Sequence, residues 1–175
     1  MKNILYICLL VVLSQCDIID KFTQFNIDHQ TEFTVGSSTV INTPIDINTP
    51  DITTNSSSEF SNNDTRADLI ESIKLTSLKL SINSPSDGNF NFLKSVTIYI
   101  DADGLDEIEI ASITDIPDDD MDTLDLITSG SDLKAYIKKD SYTLRVETVT
   151  DQLISEDHVI KADSRFRVDA KILGV

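Results

Sequence analysis

Carboxylates at alternate positions ahead of a glycine can wrap a hard cation, because each offers two oxygens and the glycine permits a sharp turn. Asp101, Asp103 and Asp106, in Asp101-Ala102-Asp103-Gly104-Leu105-Asp106, are the best candidates for calcium ligands in this chain. An EF-hand needs three alternating oxygen residues before its glycine and an acid at its twelfth position. Here Gly104 falls at the fourth position and Ser112 at the twelfth. Asp-Gly between two strand patterns is also a favoured hairpin turn, and a turn is the expectation for Asp103-Gly104. A second acidic group, Asp118, Asp119, Asp120 and Asp122, follows the strand pattern 107–113. If that segment is the middle of a meander, seven residues at ~3.3 Å each hold the two groups ~23 Å apart. They cannot share one ion. The expectation is therefore a chain with no resident cofactor, with calcium as the alternative.

His29 and His158 are the only histidines, and each has the inward parity of a strand pattern. A two-histidine metal site or a general base would need carboxylate partners. Packed, hydrogen-bonded histidines near strand ends are the expectation. The chain has no Gly-x-Ser-x-Gly elbow and no His-Glu-x-x-His pair, so neither the common serine hydrolase nor the zincin arrangement is present. With five glycines there is no phosphate-cradling loop. Tryptophan is absent, and Tyr99, Tyr136 and Tyr142 are read as packing or strand-face rings rather than sugar platforms. Asp122-Thr123-Leu124 resembles the Asp-Thr/Ser-aliphatic acceptor of a bacterial O-glycosylation system.

The net charge is −16. Such a surface repels phosphate backbones, which excludes nucleic acid as a partner. It also repels anionic headgroups over a Debye length of ~8–10 Å. The acids are spread along the chain, a pattern that serves solubility, with calcium or cationic-ligand binding as the alternative reading.

The N-terminus carries Lys2 and then an apolar run, Ile4 to Leu13. That is the pattern of a cleaved secretory signal, and it is shorter than the ~20 residues a spanning helix needs. Leu13-Ser14-Gln15-Cys16 resembles the lipobox of bacterial lipoproteins, although Gln15 stands where that motif has a small residue. The resemblance implies a signal peptide over 1–15, diacylglycerol on the Cys16 thiol, and cleavage before it. The other cysteine, Cys8, lies inside the removed segment, so no thiol remains for a disulfide or a catalytic nucleophile. Residues 16–23 form a short tether. The membrane is reached through the lipid, where two or more acyl chains give stable anchoring.

Period-two alternation dominates the rest and predicts strands with one buried face. Phe25, Ile27, His29, Thr31, Phe33 and Val35 share one face of the first. Val96, Ile98 and Ile100 form another such face, and Tyr142, Leu144 and Val146 a third. Ile160, Ala162, Phe166, Val168, Ala170 and Ile172 form the last. Shorter candidates are 107–113 and 123–128. In 73–83 the parity changes between Leu75 and Leu78, which predicts a β-bulge near Thr76-Ser77. Residues 41–52 hold a repeat, Ile-Asn-Thr-Pro-Ile-Asp then Ile-Asn-Thr-Pro-Asp-Ile, and because Pro44 and Pro50 cannot donate ladder hydrogen bonds it is expected as an edge strand or an extended arm. The polar run 53–64 reads as a loop. Two short helices are expected, one from the capping-box form Thr65-Arg66-Ala67-Asp68 and one over 131–139.

The fold expected is all-β: one antiparallel β-sandwich over 24–175, of about eight strands with two short connecting helices. The Pro repeat, Thr-Arg-x-Asp-Leu-Ile, Asn-Phe-Leu-Lys-Ser and Tyr-Ile-Lys-Lys-Asp-Ser-Tyr-Thr-Leu-Arg together are similar to a family of small lipoproteins of Gram-negative bacteria. That resemblance implies an exported protein anchored to the cell envelope, at the outer membrane, and brings no activity. The expected function is a non-enzymatic envelope module that binds another envelope protein or a glycan. Calcium-dependent adhesion or glycan binding is the second reading, and a hydrolase the third.

Overall fold

The computed structural model describes residues 23–171. The signal segment, Cys16 and Ile172 lie outside the described residues. Ten antiparallel strands form two sheets that face each other across one apolar core. The first sheet has four strands. In it, β1 (Gln24–Val35) pairs along its whole length with β10 (His158–Ala170). On the other side of β10 lies β4 (Ile70–Ser84), and beyond it β7 (Thr123–Asp125). The second sheet runs β2 (Pro44–Asn48), β9 (Ser141–Thr150), β5 (Leu93–Asp101), β6 (Ile108–Thr114), β8 (Ile127–Thr128), with β3 (Ile52–Thr53) also on β9.

Alternation places the core as expected: Ile27, Phe33, Val96, Ile98, Leu144, Val146, Ile160 and Phe166 are all buried. The bulge in β4 is present where the parity changes. Leu75 stands opposite Phe166 and Ser77 opposite Arg165, so Thr76 is the additional residue. Its hydroxyl donates to the Arg165 carbonyl at 3.1 Å. Ile73, Leu75, Leu78 and Leu80 are thereby all buried on one face, which an unbulged strand could not achieve.

The strand count departs from about eight because two expected strands each divide. The Pro repeat forms an edge, as its prolines require, but it breaks at Pro50 into β2 and β3. Thr49 bridges the break: its amide donates to the Leu144 carbonyl at 2.9 Å, and its hydroxyl accepts the Leu144 amide at 3.0 Å. Segment 123–128 also divides, β7 pairing with β4 and β8 with β6. Leu124 and Leu126 stay buried through the crossing, and the Leu126 amide donates to the Leu78 carbonyl at 2.9 Å. The meander through 123–128 is thus kept only by its last two residues.

The helices also differ from expectation. The capping box at Thr65 does not form. Ala67–Leu69 is a single 3-10 turn with no side-chain cap, and Arg66 pairs with Asp68 at 2.7 Å. Ile70 then enters β4 opposite Ala170, where its side chain is buried; strand pairing prevails over the weak local helix signal. Conversely, the run expected as a loop contains α1 (Ser56–Asn62). Its one apolar side chain, Phe60, is buried and meets Phe25 edge-on at 6.4 Å. α2 (Lys134–Ile137) lies within the expected 131–139. The Asp132 carboxylate accepts the Lys134 amide and the Ile73 amide, both at 3.0 Å, so it holds α2 to β4.

Among the described residues, Thr65 carries the one buried side-chain polar atom without a partner, its hydroxyl. Burying an unpaired hydroxyl costs about 1–3 kcal/mol. Thr65→Val, which keeps the shape and removes the hydroxyl, is expected to raise the unfolding free energy by about 1 kcal/mol in urea titration. A loss of similar size would show that the hydroxyl is in fact satisfied.

Candidate functional site

Asp101, Asp103 and Asp106 fall on the β5–β6 hairpin. The Leu105 amide donates to the Ala102 carbonyl at 3.0 Å, and Gly104 has φ +72°. The loop is thus a four-residue turn with a left-handed third residue, where glycine is at ease and other residues are strained. Asp103 is not in the left-handed region, so this is not the two-residue type I′ hairpin. The Tyr136 hydroxyl donates to the Asp106 carbonyl, tying α2 to the turn. Asp118, Asp119, Asp120 and Asp122 lie at the other end of β6. Among the described residues, no group of three or more His, Cys, Asp or Glu side chains is arranged to hold a metal ion. Thr123 is exposed at the start of β7.

The two histidines do not meet. His29 stands opposite Ser164 and His158 opposite Val35, six ladder positions or ~20 Å apart. The His29 Nε2 lies 3.3 Å from the Thr54 carbonyl and Nδ1 2.9 Å from the Tyr142 hydroxyl. A carbonyl only accepts, so Nε2 carries the proton and Nδ1 accepts from Tyr142. Burial holds the His29 pKa below its ordinary value, against the Thr54 carbonyl, which favours the charged ring. Burial likewise pushes the Tyr142 hydroxyl up. His29 is therefore a neutral ring with both nitrogens committed. His158 packs on Phe92 at 4.5 Å between centroids, with Nδ1 3.0 Å from the Glu156 carbonyl.

The outer face of the six-stranded sheet carries a constellation that the linear order hides. Arg145 donates through Nε and Nη2 to Glu107, at 2.8–3.1 Å, and through Nη1 to Asp46 at 2.5 Å and Glu147 at 3.4 Å. Its guanidinium lies 4.0 Å from the centre of the Tyr99 ring, a favourable cation–π placement. The Glu107 hydrogen bonds, then those to Asp46, hold the Arg145 pKa well above its ordinary value, against burial. This cation is fully engaged, and its role is to fasten β2 and the β5–β6 turn onto β5 and β9. The outer face of the four-stranded sheet holds a depression of about 530 Å³. Most of its charges neutralise one another: Arg165 with Asp28 at 2.7 and 2.9 Å, Lys161 with Asp163 at 2.9 Å, Lys79 with Asp125 at 3.6 Å.

The two ends of the sandwich differ most. The end where β1 begins gathers segments 49–69, 102–107 and 129–140 and residue Lys171. Here acids are mixed with Arg66, Lys134, Lys138, Lys139 and Lys171. The far end is made of loops 36–43, 85–92, 115–122 and 151–157. These hold Asp87; Asp115, Asp118, Asp119, Asp120 and Asp122; and Asp151, Glu156 and Asp157, with no lysine or arginine. A groove of about 190 Å³ runs between the second and fourth of them, lined by Asp87, Asn91, Phe92, Leu153, Glu156 and His158 among others. Sequence reasoning singled out Asp118, Asp119, Asp120 and Asp122 but not the assembly, because three separate loops supply the acids.

No helix among the described residues is long and apolar enough to cross a membrane. No family model matches the chain, and no curated protein matches it. Among solved structures, a chain titled Desmodium yellow mottle tymovirus is similar over 87% of this chain and 85% of its own, at 12% identity and a TM-score of 0.32, a level of likeness that carries no functional argument.

Proposed function

We propose that this chain is a lipid-anchored binding module of a bacterial cell envelope, held by acyl chains on Cys16 and engaging a partner without catalysing a reaction. The observation that carries the reading is Leu13-Ser14-Gln15-Cys16 closing a basic and then apolar N-terminal segment. Geometry supports it. Cys16 is eight residues before Gln24, a reach of at most ~26–29 Å, so the tether joins the sandwich at the β1 end. That end carries Lys134, Lys138, Lys139 and Lys171, and the acidic loops point the other way. Near an anionic leaflet, this charge distribution favours the orientation with the acidic loops outward. The engaged states of His29, His158 and Arg145 fit a structural part for each, and so favour binding over catalysis.

Cys16→Ala tests the anchor. The unsubstituted protein is expected in the membrane pellet and the variant in the soluble fraction, because a folded acidic domain without acyl chains has little affinity for the bilayer. Equal recovery of both in the pellet would overturn the reading.

A further inference from the structure

We infer that the loops 36–43, 85–92, 115–122 and 151–157 form a docking surface for a cationic protein segment that carries an apolar side chain. The inference rests on the binding-module reading and names the partner's chemistry.

The first observation is apolar. Four large hydrophobic side chains are strongly exposed among the described residues, and three of them belong to this end: Val40 at 47%, Ile41 at 42% and Leu153 at 65%. They share one ribbon. The Ser38–Ile154 bridge and the Asn42 amide on the Thr150 carbonyl at 2.6 Å hold 38–42 antiparallel to 150–154. Leu153 also lines the groove, beside the Phe92–His158 stack. Exposed apolar side chains set together and rimmed by polar groups mark interaction sites.

The second observation is electrostatic, and it chooses the occupant. None of the ion pairs among the described residues reaches an acid of these loops. Where their carboxylates have partners, the partners are neutral: Gln152 for Asp118 at 3.2 Å, Asn91 for Asp120 at 2.9 Å, the Ser37 amide for Asp157 at 2.7 Å. The negative charge is fixed in place and takes part in no ion pair among the described residues, whereas on the outer sheet faces Arg145 and Arg165 pair with acids. A second copy meeting it through the same end would bring like charge against like, and an anionic lipid or nucleic acid would be repelled. A lysine- or arginine-bearing segment satisfies the carboxylates, and an apolar residue on it covers Leu153 in the groove.

The third observation is that the surface is braced. The Phe90 amide donates to the Met121 carbonyl at 2.8 Å and the Asp120 amide to the Asn91 side chain at 3.0 Å, joining the second loop to the third. A Cβ on Gly88 would come within 2.9 Å of Ile82, so this turn is packed against the sheet. A surface already ordered loses little entropy when a partner docks.

The test uses the full chain and three fluorescent synthetic peptides, of alternating lysine and leucine, lysine and serine, and glutamate and leucine. The lysine–leucine peptide is expected to bind, with backbone amide shifts concentrated in the four loops. Binding should weaken about tenfold in a Val40→Ser, Leu153→Ser variant and in an Asp118→Asn, Asp119→Asn, Asp122→Asn variant, and be unchanged in Ile127→Ser. It should also fall toward ~1 M salt, where the Debye length is ~3 Å. Lysine–serine binding as tight as lysine–leucine would overturn the apolar seat, and glutamate–leucine binding as tight would overturn the charge argument. Shifts spread over the sheet faces would overturn the location, and this readout needs no variant to fold. Fractionation of Cys16→Ala reads the anchor alone, so the failure of either experiment is separable from the other.

Discussion

Replacing Phe166 with alanine is expected to lower the unfolding free energy by about 3–5 kcal/mol. Phe166 is fully buried on β10, the strand flanked by both β1 and β4. It stands opposite Ile27 on one side and Leu75 on the other, next to the bulge. Its ring lies 5.5 Å from His29 and 6.3 Å from Tyr142, which reaches it from the second sheet. Removing the ring loses its transfer free energy and leaves a cavity that two hydrogen-bonded sheets cannot collapse into. Domains of this kind are stable by about 5–15 kcal/mol in total, so the loss is a large fraction. Urea titration should show the midpoint falling with the slope unchanged. Phe166→Leu, which refills most of the volume, should lose less than half as much. A loss under about 1 kcal/mol for the alanine variant would mean that the sheets pack more loosely than described.

The second large effect is one of pH. In the unfolded chain His29 titrates near ~6.5; in the folded chain burial holds it lower. Between those values the unfolded state binds a proton that the folded state does not, so stability rises with pH there. The His29 contribution is therefore fully present above about 6.5 and is lost as pH falls toward the folded value. Protonation would also place a donor on Nδ1, against the hydroxyl hydrogen of Tyr142. Asp28 and Asp163 act in a separate window. The Arg165 hydrogen bond lowers the Asp28 pKa. For Asp163, burial acts upward but is outweighed by hydrogen bonds from Gln30 and Lys161. Both carboxylates stabilise the fold above about 3.9 and lose that contribution only below it. Unfolding measured from pH 7 to pH 4.5 should thus show a falling stability that His29→Gln flattens. Glutamine can still donate to Thr54 and accept from Tyr142. A variant with the same slope as the unsubstituted chain would remove His29 as its cause.

Fold class was legible in the residues because a half-buried strand must alternate, and the inward sets of β1, β5, β9 and β10 are long enough to be unambiguous. The bulge at Thr76 was legible for the same reason: a parity change in a strand with one buried face needs an additional residue. The prolines of the repeat marked an edge, since neither can donate to a ladder. Less regular elements were misjudged where the deciding contact was remote. The Phe60 helix has a single apolar side chain and hence no periodicity to read. The capping box at Thr65 was overridden by the pairing of Ile70 with Ala170.

What the residues determined alone was the alternating core, the acidity and the resemblance at Cys16, all of which depend on composition or on spacings of a few positions. The tertiary structure decided the two pieces of 123–128, because Leu124 and Leu126 stay buried whichever sheet their backbone joins. It also decided which charges are answered. Arg145 gathers Asp46, Glu107 and Glu147 because antiparallel pairing brings distant strands side by side. The acids of the far loops take part in no ion pair among the described residues because none of the four loops gathered there holds a lysine or arginine.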